Sequence, residues 1–411
     1  MHESKPLISD SCKLLYLLVL VPVVCCLIVK TGLAGLKITS NTQLTVQPFK
    51  TFNLSQKYQA PTFGTALIRP TATKKLESLN YKLNKYTSMN SVKNSARSIL
   101  PEFHNVTTAA TKILSKQQNF VYLQILNSFY LELTKNWICK ASSIQGVLEQ
   151  TLFVTTDWES FKVLTDFKHL ISKHDRSSSK NQNPKIQNSK SYTVVFQSTH
   201  QKTKELRYGE KKYYQFMLFR TDLVYKLLQK QVSIFLVESD STWYSNPETY
   251  LNHFDANVDI IAGQDGDLTA NAIEGGFIFL RASIHTIQIW KLLKSILERN
   301  WKGKLLETGV TTQLNEMAVL NGILKDKNND WCEWAFFPKE KFVSGRWYRG
   351  GSFKFTDPVV IQNNWIVGNY NKERRARLWG QWFLDEDGGN CLDSAKFDKH
   401  AKFRNCTGFV C

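Results

Sequence analysis

The stretch VSIFLVESDSTWYSNP, residues 232–247, ends an apolar run on two carboxylates one residue apart, Glu238 and Asp240. Where a chain leaves a strand, two such groups can converge on one hard cation. Oxygen ligands of this kind suit Mn²⁺ or Mg²⁺, and such an ion typically bridges to phosphate oxygens. A bare acid-x-acid triplet is equally a solvated turn, but the local charge argues for more. Residues 231–280 hold eight carboxylates (Glu238, Asp240, Glu248, Asp255, Asp259, Asp265, Asp267 and Glu274) and neither Lys nor Arg, in a chain of net charge +18. A metal site tolerates that cluster, whereas a nucleic-acid groove does not.

A second constellation lies in VVIQNNWIVGNYNKERRARLW, residues 359–379. An apolar strand leads into Gln362, Asn363 and Asn364, whose amides offer oxygen to a metal or a sugar hydroxyl. Gly368 lets backbone approach a ligand closely. Lys372 offers a point charge to a phosphate. Arg374, Arg375 and Arg377 read as a solvated helix face. No nucleophile–base triad or cofactor fingerprint is present, and the histidines lie outside any ligand spacing.

The elements that must carry these residues follow from hydrophobic pattern. VYLQIL (121–126), TLFVTT (151–156), YTVVFQ (192–197), VSIFLV (232–237), VDIIAG (258–263) and GGFIFL (275–280) read as strands. Helices are expected over about 128–148, briefly after Asp157, over 211–230 and over 282–300. Strands alternating with helices predict an α/β fold with a largely parallel sheet, in which ligands bind at the carboxyl ends of strands. The segment 168–191 breaks the rhythm and reads as a flexible surface insertion. Three appendages flank the domain assigned to 118–390. Residues 14–36 have the length of a transmembrane signal anchor behind a cytosolic tail, 1–13. Residues 37–117 have the polar composition of a largely disordered stem. Residues 391–411 form a Cys-containing tail, in which pairing among Cys391, Cys406 and Cys411 is expected on proximity. Sequons at Asn53, Asn105 and Asn405 agree with a lumenal bulk. The basic charge sits mostly on the appendages: the stem carries 12 Lys or Arg against 2 acids, and the insertion 6 against 1.

Glu238-Ser239-Asp240 with Trp243 and Pro247, the GGF at 275–277, and QNNWIVG with Lys372 together resemble the nucleotide-diphospho-sugar transferase family, which includes plant extensin arabinosyltransferases and rhamnogalacturonan xylosyltransferases. The resemblance extends from about Asn119 to Leu384 and includes Asn136-Trp137 and the helix Tyr213–Thr221. It is closest in flavour to the animal branch of single-pass Golgi proteins. It implies a GT-A (Rossmann-like) domain, a UDP-sugar donor, a divalent metal (Mn²⁺ or Mg²⁺), retention of anomeric configuration and a glycan or glycoprotein acceptor. The metal would be held by Glu238 and Asp240, with Gln362 standing where related enzymes commonly carry His. Met317 stands where the family carries Gln. Asn127 and Asp157 would sit near the uridine, Arg220 near the donor phosphates or ribose, Lys372 near the phosphates, and Gly275, Gly276 and Gly368 against the donor. A front-face reaction needs no protein nucleophile. A double displacement would need a carboxylate, with Glu316, Glu274 and Asp265 as candidates. The expectation is a Golgi type II membrane protein with a lumenal glycosyltransferase domain that binds no nucleic acid. The alternative is an inactive Golgi-resident relative serving as a binding or scaffold protein.

Overall fold

A computed structural model describes residues 103–116, 118–178, 191–199, 206, 210–266, 272–302, 315–349 and 357–393. The expected anchor, most of the stem and the end of the C-terminal tail lie outside them. Among the described residues no helix is long and apolar enough to cross a membrane.

The central sheet is built from β1 (Val121–Leu126), β2 (Thr151–Thr155), β3 (Thr193–Phe196), β4 (Ile234–Val237), β6 (Ile260–Asp265), β7 (Ala272–Leu280) and β8 (Trp334–Phe336). Their order is β3-β2-β1-β4-β7-β6-β8. Strands β3, β2, β1 and β4 run parallel, as do β6 and β8. Strand β7 is antiparallel to both β4 and β6, so six of the seven strands share one direction and the sheet is largely parallel, as expected, with one reversed strand.

These strands read as unbroken apolar runs because both faces are covered. Alternation survives in side-chain type. Tyr122, Phe153, Phe235, Phe277 and Phe279 point to one face, where they meet Trp137, Trp243 and Phe337. Val121, Leu123, Leu152, Val154, Ile234, Leu236, Ile278 and Leu280 point to the other. The aromatic face is covered by α2 (Leu131–Ala141) and α3 (Trp158–Ser178), through Trp137, Leu164 and Phe167. The aliphatic face is covered by α1 (His104–Leu114), α4 (Lys211–Gln229), α5 (Ile284–Lys302) and α6 (Glu316–Lys325). A small second sheet packs against the aromatic layer, with β5 (Ser241–Trp243) and β9 (Phe342–Val343) flanking β10 (Val360–Gln362). α7 (Asn369–Leu378) follows it.

Three boundaries differ from the sequence reading. Residues 104–114, read as stem, form α1, which buries Val106, Ala110 and Ile113 against the sheet. Residues 168–178, read as insertion, continue α3, because Leu164, Phe167 and Ile171 extend one buried stripe at helical spacing. Cys391 pairs with Cys139 of α2, at a Cα–Cα distance of 5.3 Å, rather than with its near neighbours in sequence. Cys332 is free and buried. Cys406 and Cys411 lie outside the described residues.

Candidate active site

The acid-x-acid segment is aimed by its middle residue. The Ser239 hydroxyl donates to Gln124 Oε1 on β1 (2.9 Å) and accepts from the Thr134 hydroxyl on α2 (2.9 Å). Ser239 is thereby pinned into the interior. Glu238 and Asp240, which alternate with it along the backbone, face a cleft of about 770 Å³ at the carboxyl end of β4. Strand β10 supplies the third group. It pairs antiparallel with β5, setting Gln362 opposite Ser241, and Asn363 N–H donates to the Asp240 carbonyl at 3.1 Å. Gln362 is almost fully buried, and its Nε2 donates to Asp240 Oδ1 (2.9 Å) and Glu238 Oε2 (3.4 Å).

Two cations complete the cluster. Lys372 is in the first turn of α7, whose N-cap is Gly368 in the left-handed region (φ 88°). Its ammonium lies 2.6 Å from Asp240 Oδ2. That oxygen is buried, and the Lys372 ammonium is the group that faces it. Arg220, buried on α4, places Nη1 3.4 Å from Glu238 Oε1. The rest of its guanidinium is held by Glu316: Nε donates to Oε2 at 2.8 Å, and Nη2 donates to the same oxygen. The Thr221 hydroxyl donates to Glu316 Oε1 (2.9 Å). Burial would lower the affinity of both cations for their protons. For Lys372 the fields of Asp240 and Glu238 outweigh it, and for Arg220 those of Glu316 and Glu238 do. Both remain charged. Glu238 is pushed above the usual carboxylate range by desolvation and by Asp240, although 42 % of its side-chain surface still faces the cleft. Glu274 is pushed up further by burial and by Glu238, Asp265 and Asp240.

The donor set can be tested for a divalent ion. Six oxygen ligands at roughly 2.1 Å put neighbouring ligand atoms roughly 3 Å apart. The Gln362 amide stands at about that spacing from one oxygen of each carboxylate. Its other end, Oε1, is buried and unpartnered. Turning the amide over would bring that orphaned oxygen to the two carboxylates, an arrangement that a cation between them stabilises. Glu238, Asp240 and Gln362 therefore fit Mn²⁺ or Mg²⁺. Among the described residues no group of three or more His, Cys, Asp or Glu could hold a metal.

The other expected residues divide into two groups. Gly275, Gly276, Gly368, Asp265, Glu274 and Glu316 line the cleft. Asp265 accepts from the Trp365 indole N–H (2.8 Å), and Glu274 accepts from Asn364 Nδ2 (3.1 Å). Asn127 and Asp157 do not line it. Asn127 caps the turn Ser128–Tyr130, and Asp157 accepts from Ser128 N–H, Ser160 N–H and the Ser160 hydroxyl. The solvated arginine face holds for Arg374 and Arg377 but not for Arg375. That side chain is buried, donates to Asn363 Oδ1 and the Asn364 carbonyl (both 2.6 Å) and stacks on Tyr348. It fixes the Asn363-Asn364 turn from below.

Trp365 was not singled out from sequence. It lines the cleft with φ 63°, a conformation that costs a bulky residue about 1–3 kcal/mol and is over-represented at functional sites. Tyr213 on α4 also lines the cleft, and burial raises its pKa. The Asn-Asn-Trp run was the available signal for the first, and the tyrosine-rich start of α4 for the second.

Residues 173–376 match the nucleotide-diphospho-sugar transferase family. A curated relative, the UDP-galactose:fucoside alpha-3-galactosyltransferase of Dictyostelium discoideum, is 22% identical over 181 residues, covering 40% of this chain. The match spans 27% of that relative's length. Among solved structures, the Streptococcus pneumoniae glycosyltransferase GlyE is 11% identical, with 65% of this chain and 61% of that one covered, at a TM-score of 0.39. Mouse xyloside xylosyltransferase 1 is 10% identical, with 62% and 98% covered, at a TM-score of 0.38.

Proposed function

We propose that this chain, whose residues 173–376 match the nucleotide-diphospho-sugar transferase family, transfers a sugar from a UDP-sugar to a glycan or glycoprotein acceptor. The observation that carries this reading is the meeting of Glu238, Asp240 and Gln362 with Lys372 and Arg220 at one wall of the cleft. A divalent ion held by the first three would supply a Lewis acid that stabilises the leaving diphosphate. Lys372 binds a phosphate oxygen and offsets the charge that develops on UDP. Arg220, fixed by Glu316, which the Thr221 hydroxyl in turn orients, holds Glu238 in place and adds positive charge behind it. Gly275 and Gly276 present bare backbone to the sugar. Their neighbour Met317 gives that part of the wall a thioether rather than a hydrogen-bonding amide.

The mixed α/β domain is read as GT-A, with retention by front-face attack. Glu316 has both oxygens engaged by Arg220 and Thr221, which disfavours it as a nucleophile. The chain is proposed to be a type II Golgi membrane protein anchored by residues 14–36, with this domain lumenal. Asn105, exposed on α1, is then an accessible sequon. Resistance to carbonate extraction and a glycosidase-sensitive mobility test the location.

Metal-dependent release of UDP from a panel of UDP-sugars tests the activity. Asp240→Asn is expected to lower it by at least about 100-fold, since even residues that only orient metal ligands cost 10–100-fold. Unchanged turnover would remove Asp240 from the mechanism. One observation favours an inactive binding protein: all four oxygens of Glu238 and Asp240 already face side-chain donors or cations. Calorimetry with UDP and Mn²⁺, followed by the release assay, separates the two. A protein that binds both and releases no UDP from any donor is the scaffold.

A further inference from the structure

The two cations of the cluster are held very differently. Arg220 is clamped by Glu316, which is 1 % exposed and receives two guanidinium N–H groups and the Thr221 hydroxyl. Lys372 makes one ion pair, with Asp240, from the end of an unbranched side chain that lines the cleft. Asp240 is itself 7 % exposed, and a carboxylate so buried is costly without a counter-charge. Lys372 supplies that charge at 2.6 Å. A divalent ion between Asp240 and Glu238 would stand beside the ammonium, and like charges at such spacing repel strongly in a poorly hydrated site. The ammonium must then move off Asp240, and with its side chain only 18 % exposed it needs another anion. The donor diphosphate can be that anion.

We infer that Lys372 is the resident counter-ion of the cation site, so that divalent metal and diphosphate bind as a coupled pair while Lys372 passes from Asp240 to phosphate. The inference rests on the transferase reading above and adds to it an energetic order: metal alone is opposed, and metal with nucleotide is favoured. Coupling between sites is reciprocal, so UDP alone is opposed to the same degree.

The test measures Mn²⁺ affinity with and without saturating UDP, using the detergent-solubilised full chain carrying Lys372, Lys372→Met or Arg374→Met. Met keeps the length and packing of the lysine stem. Arg374 is exposed on the same helix and does not touch Asp240, so its variant removes the same charge without the ion pair. The unsubstituted chain is expected to bind Mn²⁺ about tenfold or more tightly once UDP is present, within the usual range of coupling. Lys372→Met should bind Mn²⁺ alone at least about fivefold tighter than the unsubstituted chain and lose most of the UDP effect. Thermal unfolding gives an independent readout: Mn²⁺ alone should raise the melting temperature of Lys372→Met more than that of the parent. The inference is overturned if Lys372→Met binds Mn²⁺ no tighter than the parent, or if Arg374→Met tightens it equally. UDP and Mn²⁺ binding independently to the parent overturns it while leaving the transferase reading intact. Binding of neither ligand overturns both.

Discussion

At the scale of single residues, Glu316 is the clearest case of a group whose neighbours decide its role. A carboxylate in a sugar-binding cleft invites a nucleophilic reading, yet both its oxygens are committed to Arg220 and Thr221. Glu316→Gln should cost about 3–5 kcal/mol in denaturant unfolding, because it takes from the buried Arg220 the nearer of its two counter-charges and leaves only the longer contact with Glu238. The same variant should weaken UDP binding, since Arg220 is then loosened. A variant with normal stability and nucleotide affinity, but no turnover, would instead restore Glu316 as the nucleophile. Glu274 makes a prediction in pH. Its folded-state pKa lies above the ordinary 4.5, so the folded protein holds this proton more tightly than the unfolded chain. The protein therefore loses stability as pH rises from about 4.5 through the folded value. Glu274→Gln should be more stable than the parent at pH 7, with the difference shrinking as pH falls toward 4.5. A pH-independent difference would mean that Glu274 is ionised in the fold.

At the scale of elements, the site depends on an irregularity between β6 and β7. Pairing passes from Ala262–Ile278 directly to Gly263–Glu274, so Gly275, Gly276 and Phe277 have no partner on β6. The two glycines project at the cleft, and the Gly276 carbonyl accepts from Glu238 N–H (3.0 Å). A Cβ on Gly276 would run into the Gln362 amide and come within 3.0 Å of Glu238 Oε2. Gly276→Ala should cost about 1–3 kcal/mol by overpacking. It should also reduce Mn²⁺-dependent UDP release, because the displaced groups are the metal ligands; full activity would show that this wall gives way. Much of this was readable beforehand, for physical reasons. Strands buried on both faces write themselves as apolar runs, so six of the sheet strands and the acid pair ending β4 were found. The antiparallel direction of β7 was not, because direction is set by connections that leave no local mark. Helix α1 escaped because its buried stripe consists of only Val106, Ala110 and Ile113 among polar neighbours. Arg375 escaped because helical phase, which turns it inward while Arg374 and Arg377 face out, is not marked by residue type in a run of charges.

At the scale of the whole molecule, the +18 charge says little about the cleft. Most of it lies in residues 37–117 and 168–191, and the cleft wall itself is acidic. The closure of the domain is more informative. After α7 the chain returns across α2. The Asn136 side chain binds the Gln381 carbonyl (3.0 Å) and Phe383 N–H (2.6 Å), Lys135 donates to the Gly388 carbonyl (2.8 Å), and Cys139 is bonded to Cys391. Cys391→Ser should lower stability by about 2–5 kcal/mol, read as a reduced urea midpoint. UDP affinity should be nearly unchanged, because the bond lies away from the cleft lining. A large loss of affinity would show that the strap also sets the position of α7. This tie was illegible in sequence, since pairing by proximity favours close cysteines and the true partners are 252 residues apart.

That separation also has a meaning in time. A ribosome adds about 5–20 residues per second, so Cys139 is made at least about ten seconds before its partner exists. Throughout that interval α2 and its Trp137 layer must wait without the segment that covers them. The domain can be sealed only after residue 391 has been added, and only in a compartment that oxidises thiols. A chain truncated just before Cys391 would keep every residue of the cleft and still lack the bond that locks its first half to its last.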